Sequence, residues 1–397
     1  MTLILNTTRM AAVRPSATLA MAGKAKALAK SGVDVANLAA GEPDFNTPAC
    51  IVEVAKRALD DRAAHAYTNA RGSDELVEAM RAKLLREQLV AYQATEVIAT
   101  VGTKGALMLA LDALIGPGDE VILFAPYWVT YADLVRLAGG VPVIVQTRRQ
   151  EGYQPRLQDF KQAITPRTKL VIVSSPNNPT GAGWPEALLR SIFQTIEGTD
   201  IWALSDEIYE RLTYGGFQHI SPVSFNDDAR NRTLWVGGVA KAYAMTGWRV
   251  GVAAGPKLLI DAMITLQSQR TTCAAAVAQI AAAYALREPP EVTAAVEDMR
   301  KTYEKRRTLV LERARAIEGL AVHPPEGAFY AYLDVTGRGV TDDVKLAEAL
   351  LEQSHVALVP GTPFDGPGAL RLSYAASEQT IEKGFDRLAK HLDAYRG

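Results

Sequence analysis

The sequence predicts an α/β fold, with a large domain built on a mostly parallel sheet flanked by helices and a smaller α+β domain. Short apolar segments alternate with helix-like stretches through the first 290 or so of the 397 residues. That alternation is typical of a parallel sheet with helices on both faces. After Pro289 the pattern changes to a long charged helix followed by short strands, which indicates a second domain.

Seven short apolar runs of the first region are predicted strands. They cover residues 97–101, 120–124, 141–145, 170–174, 201–205, 233–236 and 250–254. Stretches with a 3.6-residue apolar period lie between many of them and are predicted helices, for example 105–115, 129–138 and 186–196. Ligands of such sheets bind at the carboxyl ends of the strands, so the residues that follow these strands are the candidates for a site.

The last hundred residues predict the smaller domain. A helix at 291–317 precedes strands at 328–333, 357–359 and 370–373 and helices at 342–353 and 378–395. A helix at 16–30 and a strand at 35–38 are expected to join it. The predicted division is therefore 1–46 for an N-terminal arm and part of the small domain, 47–290 for the large domain and 291–397 for the small C-terminal domain.

Composition excludes several classes of function. A net charge of −1 gives no indication of a basic surface that binds nucleic acid. The basic run 305–307 is expected to be a solvated helix face. The five histidines and two cysteines lack metal-ligand spacing, so no metal is expected. No apolar run approaches the roughly twenty residues of a membrane helix. The prediction is a cytoplasmic protein without a membrane or nucleic-acid partner.

Lys241 is the most informative residue of the chain. It follows a predicted strand, small and apolar residues flank it, and Arg249 comes eight residues later. A desolvated lysine has a lowered pKa and a free amine, while an arginine suits a phosphate. Pyridoxal 5'-phosphate (PLP) needs both an amine for its aldehyde and a cation for its phosphate. The alternative is an ordinary pair of surface side chains.

Two further strand ends carry weaker signals. Gly102 opens a predicted helix after a strand, and backbone N–H groups at such a turn bind anions. Tyr127 and Trp128 follow the next strand, where an aromatic ring can stack on a flat heterocycle. A structural turn and a core aromatic are the respective alternatives.

Two polar segments are more specific. Asn177 and Asn178 lie between prolines in a Ser-Pro-Asn-Asn-Pro-Thr-Gly run, and an Asn side chain can bind a phenolic oxygen or a carboxylate. Asp206 ends an apolar strand, where a buried carboxylate requires a cation such as a protonated pyridine nitrogen. Tyr209, three residues on, can hydrogen-bond the ring oxygen. A helix N-cap by Ser205 or Asp206 is the alternative.

Eight motifs in order carry a family resemblance. They are Gly-Glu-Pro-Asp-Phe at 41–45, Val-Gly-Thr-Lys at 101–104, Pro-Tyr-Trp-Val at 126–129, Ser-Pro-Asn-Asn-Pro-Thr-Gly at 175–181, Ser-Asp-Glu-Ile-Tyr-Glu at 205–210, Ala-Lys-Ala-Tyr-Ala-Met-Thr-Gly-Trp-Arg at 240–249, Gly-Ala-Phe-Tyr at 327–330 and Arg-Leu-Ser-Tyr-Ala at 371–375. The chain resembles the class I aminotransferases of fold type I, most closely the prokaryotic subgroup I-beta aspartate aminotransferases, from about residue 14 to its end.

The resemblance implies a role for each residue around the cofactor ring. Lys241 is similar to the lysine that holds PLP as a Schiff base and then moves the substrate α-proton. Asp206 matches the partner of the pyridine nitrogen. Asn178 and Tyr209 match the ligands of the ring oxygen, and Trp128 matches the aromatic side chain stacked on the ring.

The resemblance also implies a phosphate site. The backbone at Gly102, Thr103 and Lys104 and the side chain of Arg249 would hold the phosphate, together with Tyr67 from the other subunit. A homodimer with shared active sites is therefore expected.

Substrate recognition is implied in the same way. Arg371 matches the fork that binds the α-carboxylate, a bidentate task that suits arginine, with help from Asn178 and the backbone of Gly41. Trp128 also borders the substrate. Lys104 is placed like the lysine that contacts the distal carboxylate of dicarboxylic substrates, or else only its backbone matters.

Other positions leave the side-chain specificity open. Arg14, Ser16 and Thr18 lie in a segment that lines the substrate entrance in relatives, and prephenate- and aspartate-using members resemble this pattern. Arg270 is another candidate carboxylate partner, with a structural ion pair as the favoured alternative.

Three residues depart from the family pattern near the phosphate. Ala240 and Gly238 stand where many relatives have serine, and Thr103 replaces the second glycine of a Gly-Gly-Lys turn. These changes reduce the number of groups expected to bind the phosphate, but none of them removes a catalytic group.

The predicted activity is amino transfer from L-aspartate to 2-oxoglutarate by a ping-pong mechanism. An aromatic amino acid or prephenate aminotransferase is the alternative, and a PLP-dependent C–S lyase is a more distant one. A transcription regulator built on this fold would need a DNA-binding module that the pattern does not show. A binding protein without activity is disfavoured because every expected catalytic position is filled.

Overall fold

The computed structural model describes residues 11, 13 and 15–395. Its strands are β1 (Ala36–Asn37), β2 (Val97–Val101), β3 (Glu120–Ala125), β4 (Val141–Gln146), β5 (Thr168–Ser174), β6 (Trp202–Asp206), β7 (Thr233–Gly238), β8 (Val250–Ala254), β9 (Ala321–Val322), β10 (Tyr330–Asp334), β11 (Val356–Ala357), β12 (Val359–Pro360) and β13 (Ala369–Ser373).

Its α-helices are α1 (Ala17–Lys30), α2 (Ala49–Ala58), α3 (Asp74–Gln88), α4 (Gly102–Leu114), α5 (Thr130–Leu137), α6 (Leu157–Ala163), α7 (Glu186–Ile196), α8 (Asp227–Arg232), α9 (Lys257–Arg270), α10 (Ala276–Arg287), α11 (Pro290–Arg315), α12 (Asp343–Ser354) and α13 (Glu378–Ala394). None of the helices in the described part of the chain combines the length and the apolar character that a membrane crossing requires.

The seven predicted strands of the first region form one sheet in the order β2–β8–β7–β6–β5–β3–β4. All neighbours are parallel except that β8 runs antiparallel to both β2 and β7. A parallel crossover needs about a dozen residues or more, usually with a helix. Only residues 239–249, which contain no α-helix, connect β7 to β8, so the chain returns antiparallel.

Both faces of this sheet are buried, as β5 illustrates. Leu170 and Ile172 pack with α4 and α9 on one face, whereas Val171 and Val173 pack with α7 on the other. The apolar run of β5 is therefore continuous because helices cover the sheet on both sides. The predicted fold class, an α/β fold with a mostly parallel sheet flanked by helices, is confirmed.

The N-terminal and C-terminal segments meet in a smaller assembly of strands. β12, β13, β10 and β9 form an antiparallel sheet, and β1 pairs in parallel with β11. The N-terminal segment 35–38 thus contacts the C-terminal part of the chain, as the sequence predicts. The domain boundaries at 46 and 290 stay a prediction.

The basic run 305–307 does not form a solvated helix face, and that prediction is wrong. Arg306 is buried in α11, where its Nη1 donates to Asp44 Oδ1 at 2.8 Å. Arg307 Nε donates to the carbonyl oxygen of Pro325 at 2.5 Å. Only Lys305 is exposed. Hydrophobic periodicity assigns a basic residue to the solvated face of a helix, because it carries no information about a partner that is distant in the sequence.

Candidate active site

A cavity of about 600 Å³ opens at the carboxyl ends of β5, β6 and β7. Residues far apart in the sequence line it because parallel strands end at the same edge of the sheet. The lining contains Gly41, Thr103, Lys104, Trp128, Asn178, Asp206, Tyr209, Lys241, Arg249 and Arg371. The inner face of α1 covers one side, and Ser16 and Thr18 belong to that wall.

Lys241 lies in the turn after β7 and reaches into this cavity. Its Nζ donates to the carbonyl oxygen of Gly41 at 2.5 Å and lies 5.8 and 5.6 Å from the ring centroids of Tyr209 and Phe329. Burial and the nearby charge of Arg371 lower the pKa of Lys241 to about 8. Near neutral pH a far larger fraction of this amine is therefore neutral and nucleophilic than of an ordinary lysine.

Asp206 ends β6 and is buried at the floor of the cavity. The hydroxyl of Tyr131 donates to its Oδ2 at 2.7 Å, and the N–H of Ile208 donates to its Oδ1 at 3.3 Å. Burial raises the pKa of the Asp206 carboxyl to about 6. It forms no ion pair with any residue of the described chain, so the carboxylate is available to a cationic ligand.

The helix-cap alternative for this segment is wrong. Residues 207–221 form turns and irregular structure with no α-helix. The N–H that Asp206 accepts belongs to a turn, and Ser205 Oγ instead donates to Glu207 Oε1 at 2.7 Å.

Tyr209 meets a second tyrosine, to which the sequence alone assigns no role. The hydroxyls of Tyr209 and Tyr330 lie 3.1 Å apart, and both side chains are buried. Tyr330 ends the Gly-Ala-Phe-Tyr motif at 327–330, and this motif is the sequence signal that could have identified it. Tyr131, the partner of Asp206, lies outside every quoted motif, and only the three-dimensional structure reveals it.

Arg371 is a buried guanidinium without a carboxylate partner among the described residues. Its Nη1 donates to Asn178 Oδ1 at 3.1 Å and its Nη2 donates to the Ala39 carbonyl oxygen at 2.9 Å, while its Nε has no hydrogen-bond partner. The guanidinium carbon lies 4.5 Å from the Tyr330 ring centroid. Burial lowers the pKa of Arg371. A buried, uncompensated cation that borders a cavity suits an anionic ligand.

The two asparagines of the Pro-Asn-Asn-Pro run have different tasks. Asn178 lines the cavity beside Arg371. Asn177 lies outside that lining, and its Nδ2 donates to the carbonyl oxygen of Pro126 at 3.2 Å. Asn178 therefore belongs to the site, whereas Asn177 connects the ends of two strands.

The start of α4 lies against Arg249. Gly102 has a φ of +69°, and the Arg249 guanidinium occupies the space that a Cβ on Gly102 would take. The N–H of Gly102 donates to the carbonyl oxygen of Arg249 at 2.9 Å. Thr103 fills the space beside Gly238, and its Oγ1 donates to the carbonyl oxygen of Gly237 at 3.3 Å. A helix N-terminus and a guanidinium thus converge on one side of the cavity, an arrangement that binds anions.

Lys104 and Trp128 form the adjacent wall. The Lys104 Nζ lies 5.0 Å from the centroid of the Trp128 ring, a cation–π contact. Burial and the charge of Arg249 lower the pKa of Lys104. The Lys104 side chain therefore borders the cavity, as expected of a residue that contacts substrate.

Two of the remaining candidates, Tyr67 and Arg270, lie outside the cavity. Tyr67 is 86% exposed and belongs to no wall of the site. Arg270 forms an ion pair with Asp112, the favoured alternative for it. Arg14 lies outside the described residues. Thr18, in contrast, lines the cavity, and its Oγ1 is buried without a hydrogen-bond partner.

Comparison with known proteins gives consistent results over nearly the whole chain. The family model described as "Aminotransferase class I and II" matches residues 33–388. An aspartate/prephenate aminotransferase of Thermus thermophilus is 46% identical over 384 residues, covering 97% of this chain and 98% of the relative. An aspartate aminotransferase of Geobacillus stearothermophilus is 41% identical at the same coverage of both chains.

Solved structures are similar over the same length. The structure of aspartate aminotransferase from Thermus thermophilus with maleate has a TM-score of 0.93 and 45% identity, covering 98% of this chain and all of that one. The aspartate aminotransferase from Rhizobium meliloti has a TM-score of 0.93 at 36% identity, covering 98% of this chain and 99% of the other.

Proposed function

Because the chain belongs to the class I and II aminotransferases, we propose that it uses PLP to transfer the amino group of L-aspartate to 2-oxoglutarate. The observation that carries the proposal is the convergence of Lys241, Asp206 and Arg371 on one cavity. These residues supply an amine of lowered pKa, a buried carboxylate without a cation, and a buried guanidinium without a carboxylate.

The described residues fit the ring of PLP. The Lys241 amine would bind the aldehyde carbon, and Asp206 would face the pyridine nitrogen. Asn178 and Tyr209 would contact the ring oxygen, while Trp128 would cover one face of the ring. The fit rests on the buried Asp206 carboxylate, which forms no ion pair with the described residues, because a protonated ring nitrogen would supply the cation that this group lacks.

The opposite end of the cavity fits the phosphate. The backbone at Gly102, Thr103 and Lys104 would surround it, and the Arg249 side chain would pair with it. Arg249 has no carboxylate partner among the described ion pairs, and its guanidinium already lies against Gly102. A phosphate at this helix N-terminus would interact favourably with the helix dipole and with the guanidinium.

The reaction follows from what the side chains can do. Bound PLP supplies an electron sink for the electrons left at the substrate α-carbon. The Asp206 carboxylate would keep the ring nitrogen protonated. Lys241 would hold the cofactor, and its amine would take the proton from the substrate α-carbon and return it as general acid. Since the amino group stays on the enzyme between two half-reactions, ping-pong kinetics follow.

A dicarboxylic substrate suits the charges of the cavity. Arg371 would bind the α-carboxylate with Asn178 and the backbone of Gly41, and Trp128 would border the substrate. Lys104 would contact the distal carboxylate. The structure of the Thermus thermophilus relative with maleate supports this, because maleate is a dicarboxylate.

Prephenate or an aromatic amino acid is the second candidate substrate, since a relative 46% identical is named aspartate/prephenate aminotransferase. The α1 wall with Ser16 and Thr18 would contact the larger side chain. A lyase acting at a C–S bond is the third candidate, and release of pyruvate and ammonia from a sulfur amino acid would reveal it.

We further propose a homodimer with shared active sites. Tyr67 is 86% exposed in the single chain, an unusual state for a tyrosine, and it would contact the phosphate in the other subunit. We also propose a cytoplasmic location, which free Cys50 and Cys273 support because a reducing compartment keeps thiols unpaired. Analytical ultracentrifugation and cell fractionation test the two proposals.

Absorbance of the purified protein tests the cofactor and the donor together. With PLP, the wild type should show the band of the lysine-bound cofactor, and excess L-aspartate should remove it. Lys241→Ala should never form that band. A band that persists with aspartate but disappears with an aromatic amino acid would contradict the proposed donor. Absence of the band with wild-type protein would contradict the cofactor.

A further inference from the structure

Lys83 is a buried cation in α3 that does not line the cavity. Its side chain is 3% exposed, and its Nζ donates to Glu87 and to Glu210. Although burial opposes the charge, these two carboxylates raise the pKa of Lys83. A buried ammonium with two carboxylate partners retains its charge.

One branch from Lys83 leads to the turn that carries Asp206 and Tyr209. Those two residues line the cavity, whereas Glu207 and Glu210 of the same turn do not. Glu210 binds Lys83. In this turn Asp206, Ile208 and Tyr209 line the cavity, whereas Glu207 and Glu210 contact buried polar groups behind it.

Glu207 has its own set of buried donors. Ser205, Ser221, Trp235 and His219 surround its carboxylate at 2.6 to 2.8 Å. With four partners, this side chain fixes the turn at the residue next to Asp206.

The other branch leads to the turn that carries Lys241. Glu87 accepts from Arg211 Nη1 at 3.3 Å, and the same nitrogen donates to Glu288 Oε2 at 3.1 Å. Glu288 Oε1 accepts from the hydroxyl of Tyr243 at 2.5 Å. Tyr243 is two residues after Lys241, so a continuous path of polar contacts connects the two catalytic turns.

The charges along this path are balanced. Lys83, Arg86 and Arg211 provide three cations for the carboxylates of Glu87, Glu210 and Glu288. Glu210, Glu207 and His219 also bring potential metal ligands within 4.8 Å of one another. Lys83 already supplies a cation to Glu210, however, and Glu207 is satisfied by its four donors, so the cluster does not call for a metal ion.

We propose that Lys83 is a positioning residue for amino transfer, because it connects the turn of Asp206 and Tyr209 to the turn of Lys241 through one ion-pair network, which is buried at Lys83 and Glu210 and partly exposed at Arg86 and Arg211. The inference rests on the proposed function. Buried ion pairs generally add little stability over apolar packing, although the loss of one partner leaves a buried charge. A fixed geometry between two turns is therefore the better account of this network.

The test uses PLP-loaded protein with Lys83→Met and Glu210→Gln. Lys83→Met keeps an unbranched side chain that is one heavy atom shorter and removes its charge. Glu210→Gln keeps an oxygen that accepts from Lys83 and removes the opposite charge. Lys383→Met is the matched control, because it breaks an ion pair with Asp34 on the surface. The readouts are kcat with L-aspartate, the pH midpoint of the band of lysine-bound PLP, and the unfolding midpoint without PLP.

Lys83→Met should lower kcat on the order of 100-fold, the effect of a misplacement of about 1 Å. The pH midpoint of its band should move by about one unit. Glu210→Gln should change both in the same direction with a kcat loss on the order of tenfold, and Lys383→Met should change neither.

Two results would overturn the inference. If Lys83→Met folds and binds PLP with the wild-type pH midpoint and kcat, and only its unfolding midpoint falls, Lys83 is merely structural. If Lys83→Met does not fold, an unchanged midpoint and kcat in Glu210→Gln lead to the same conclusion. A wild type without the PLP band would instead overturn the proposed function, so the two failures are distinguishable.

Discussion

The guanidinium of Arg249 occupies the space that a side chain on Gly102 would need, at the first residue of α4. The contact is possible because Gly102 has no Cβ and adopts a φ of +69°. The backbone reinforces it, since the Gly102 N–H donates to the Arg249 carbonyl oxygen at 2.9 Å. The proposed phosphate site therefore depends on the absence of a side chain at residue 102 as much as on the charge at residue 249.

Gly102→Ala should weaken PLP binding because the new methyl group displaces the Arg249 guanidinium. A displaced charge-assisted contact of about 1.5–3 kcal/mol corresponds to a PLP Kd raised by roughly tenfold or more. Fluorescence titration of PLP-free protein measures it. The matched control is Gly198→Ala, whose φ of +71° is almost the same but whose Cβ meets nothing within 4 Å.

Both substitutions carry the backbone strain of the left-handed region, about 1–2 kcal/mol, and only Gly102→Ala adds the collision. Equal PLP affinities in the two variants would mean that Arg249 does not contact the phosphate from its present position.

Lys241 should give the PLP-free protein a characteristic pH dependence. Because its pKa is lowered to about 8, the rate of PLP attachment should rise with pH and level off above about 8, where the amine is neutral. An ordinary lysine would keep gaining reactivity up to about 10.4. Stopped-flow absorbance measures the rate, and a profile still rising steeply above pH 9 would contradict the lowered pKa.

The same group affects stability with a definite sign. Between pH 8 and about 10.4 the unfolded chain binds more protons at Lys241 than the folded chain does. The contribution of this group to the free energy of unfolding therefore rises with pH across that window. The difference in stability between wild type and Lys241→Met, measured without PLP by urea denaturation, should increase in favour of the wild type. A flat difference would count against the assignment.

The sequence predicts the strands of the large sheet well because each is a short apolar run with turn residues at its ends. It does not predict the direction of β8, since periodicity carries no information about direction. The antiparallel direction of β8 follows from the short connection at 239–249, which also carries Lys241. A site residue can be predicted from the sequence when it belongs to one of the eight motifs, as Asp206 and Arg371 do.

The residues that sequence reasoning misses are polar groups buried by partners distant in the chain. Tyr131 donates to Asp206 from 75 residues away, and Arg306 pairs with Asp44 from 262 residues away. Lys83 in α3 likewise donates to Glu210, 127 residues away. A buried charge is compatible with folding only when it has a partner. A partner that is distant in the sequence leaves no local pattern.

Lys104 should determine preference for a second carboxylate. Lys104→Met removes the charge, and with it the cation–π contact with Trp128, so kcat/KM for L-aspartate should fall roughly 10–100-fold, the effect of about 1.5–3 kcal/mol for a charge-assisted hydrogen bond. The kcat/KM for L-alanine, which has no distal carboxylate, should change little. Steady-state assays with both donors decide it.

Arg371→Lys provides the contrast, because it alters the α-carboxylate site that every donor uses. It should lower kcat/KM for aspartate and alanine alike. If Lys104→Met changes kcat/KM for neither donor, only the backbone of residue 104 matters, and an equal loss for both donors would mean that the side chain does not contact a distal carboxylate.

Tyr67 and Lys241 should complement each other between subunits. If the Tyr67 side chain serves the partner's site, a dimer of one Lys241→Ala chain and one Tyr67→Ala chain carries both defects in one site and none in the other. Mixing and refolding the two inactive or impaired variants should then restore one intact site in each hybrid. With equal amounts of both chains, closed two-fold dimers should be hybrid in roughly half of the cases.

The recovered activity distinguishes this arrangement from one in which each chain builds its own site. In the latter case every site contains one defect, and mixing can give no more than the average of the two variants. The high exposure of Tyr67 in the single chain favours the shared arrangement, because a tyrosine that lines no wall of its own subunit's cavity can serve a phosphate only in another subunit. Activity above the average of the unmixed variants, measured with saturating PLP, is the expected result.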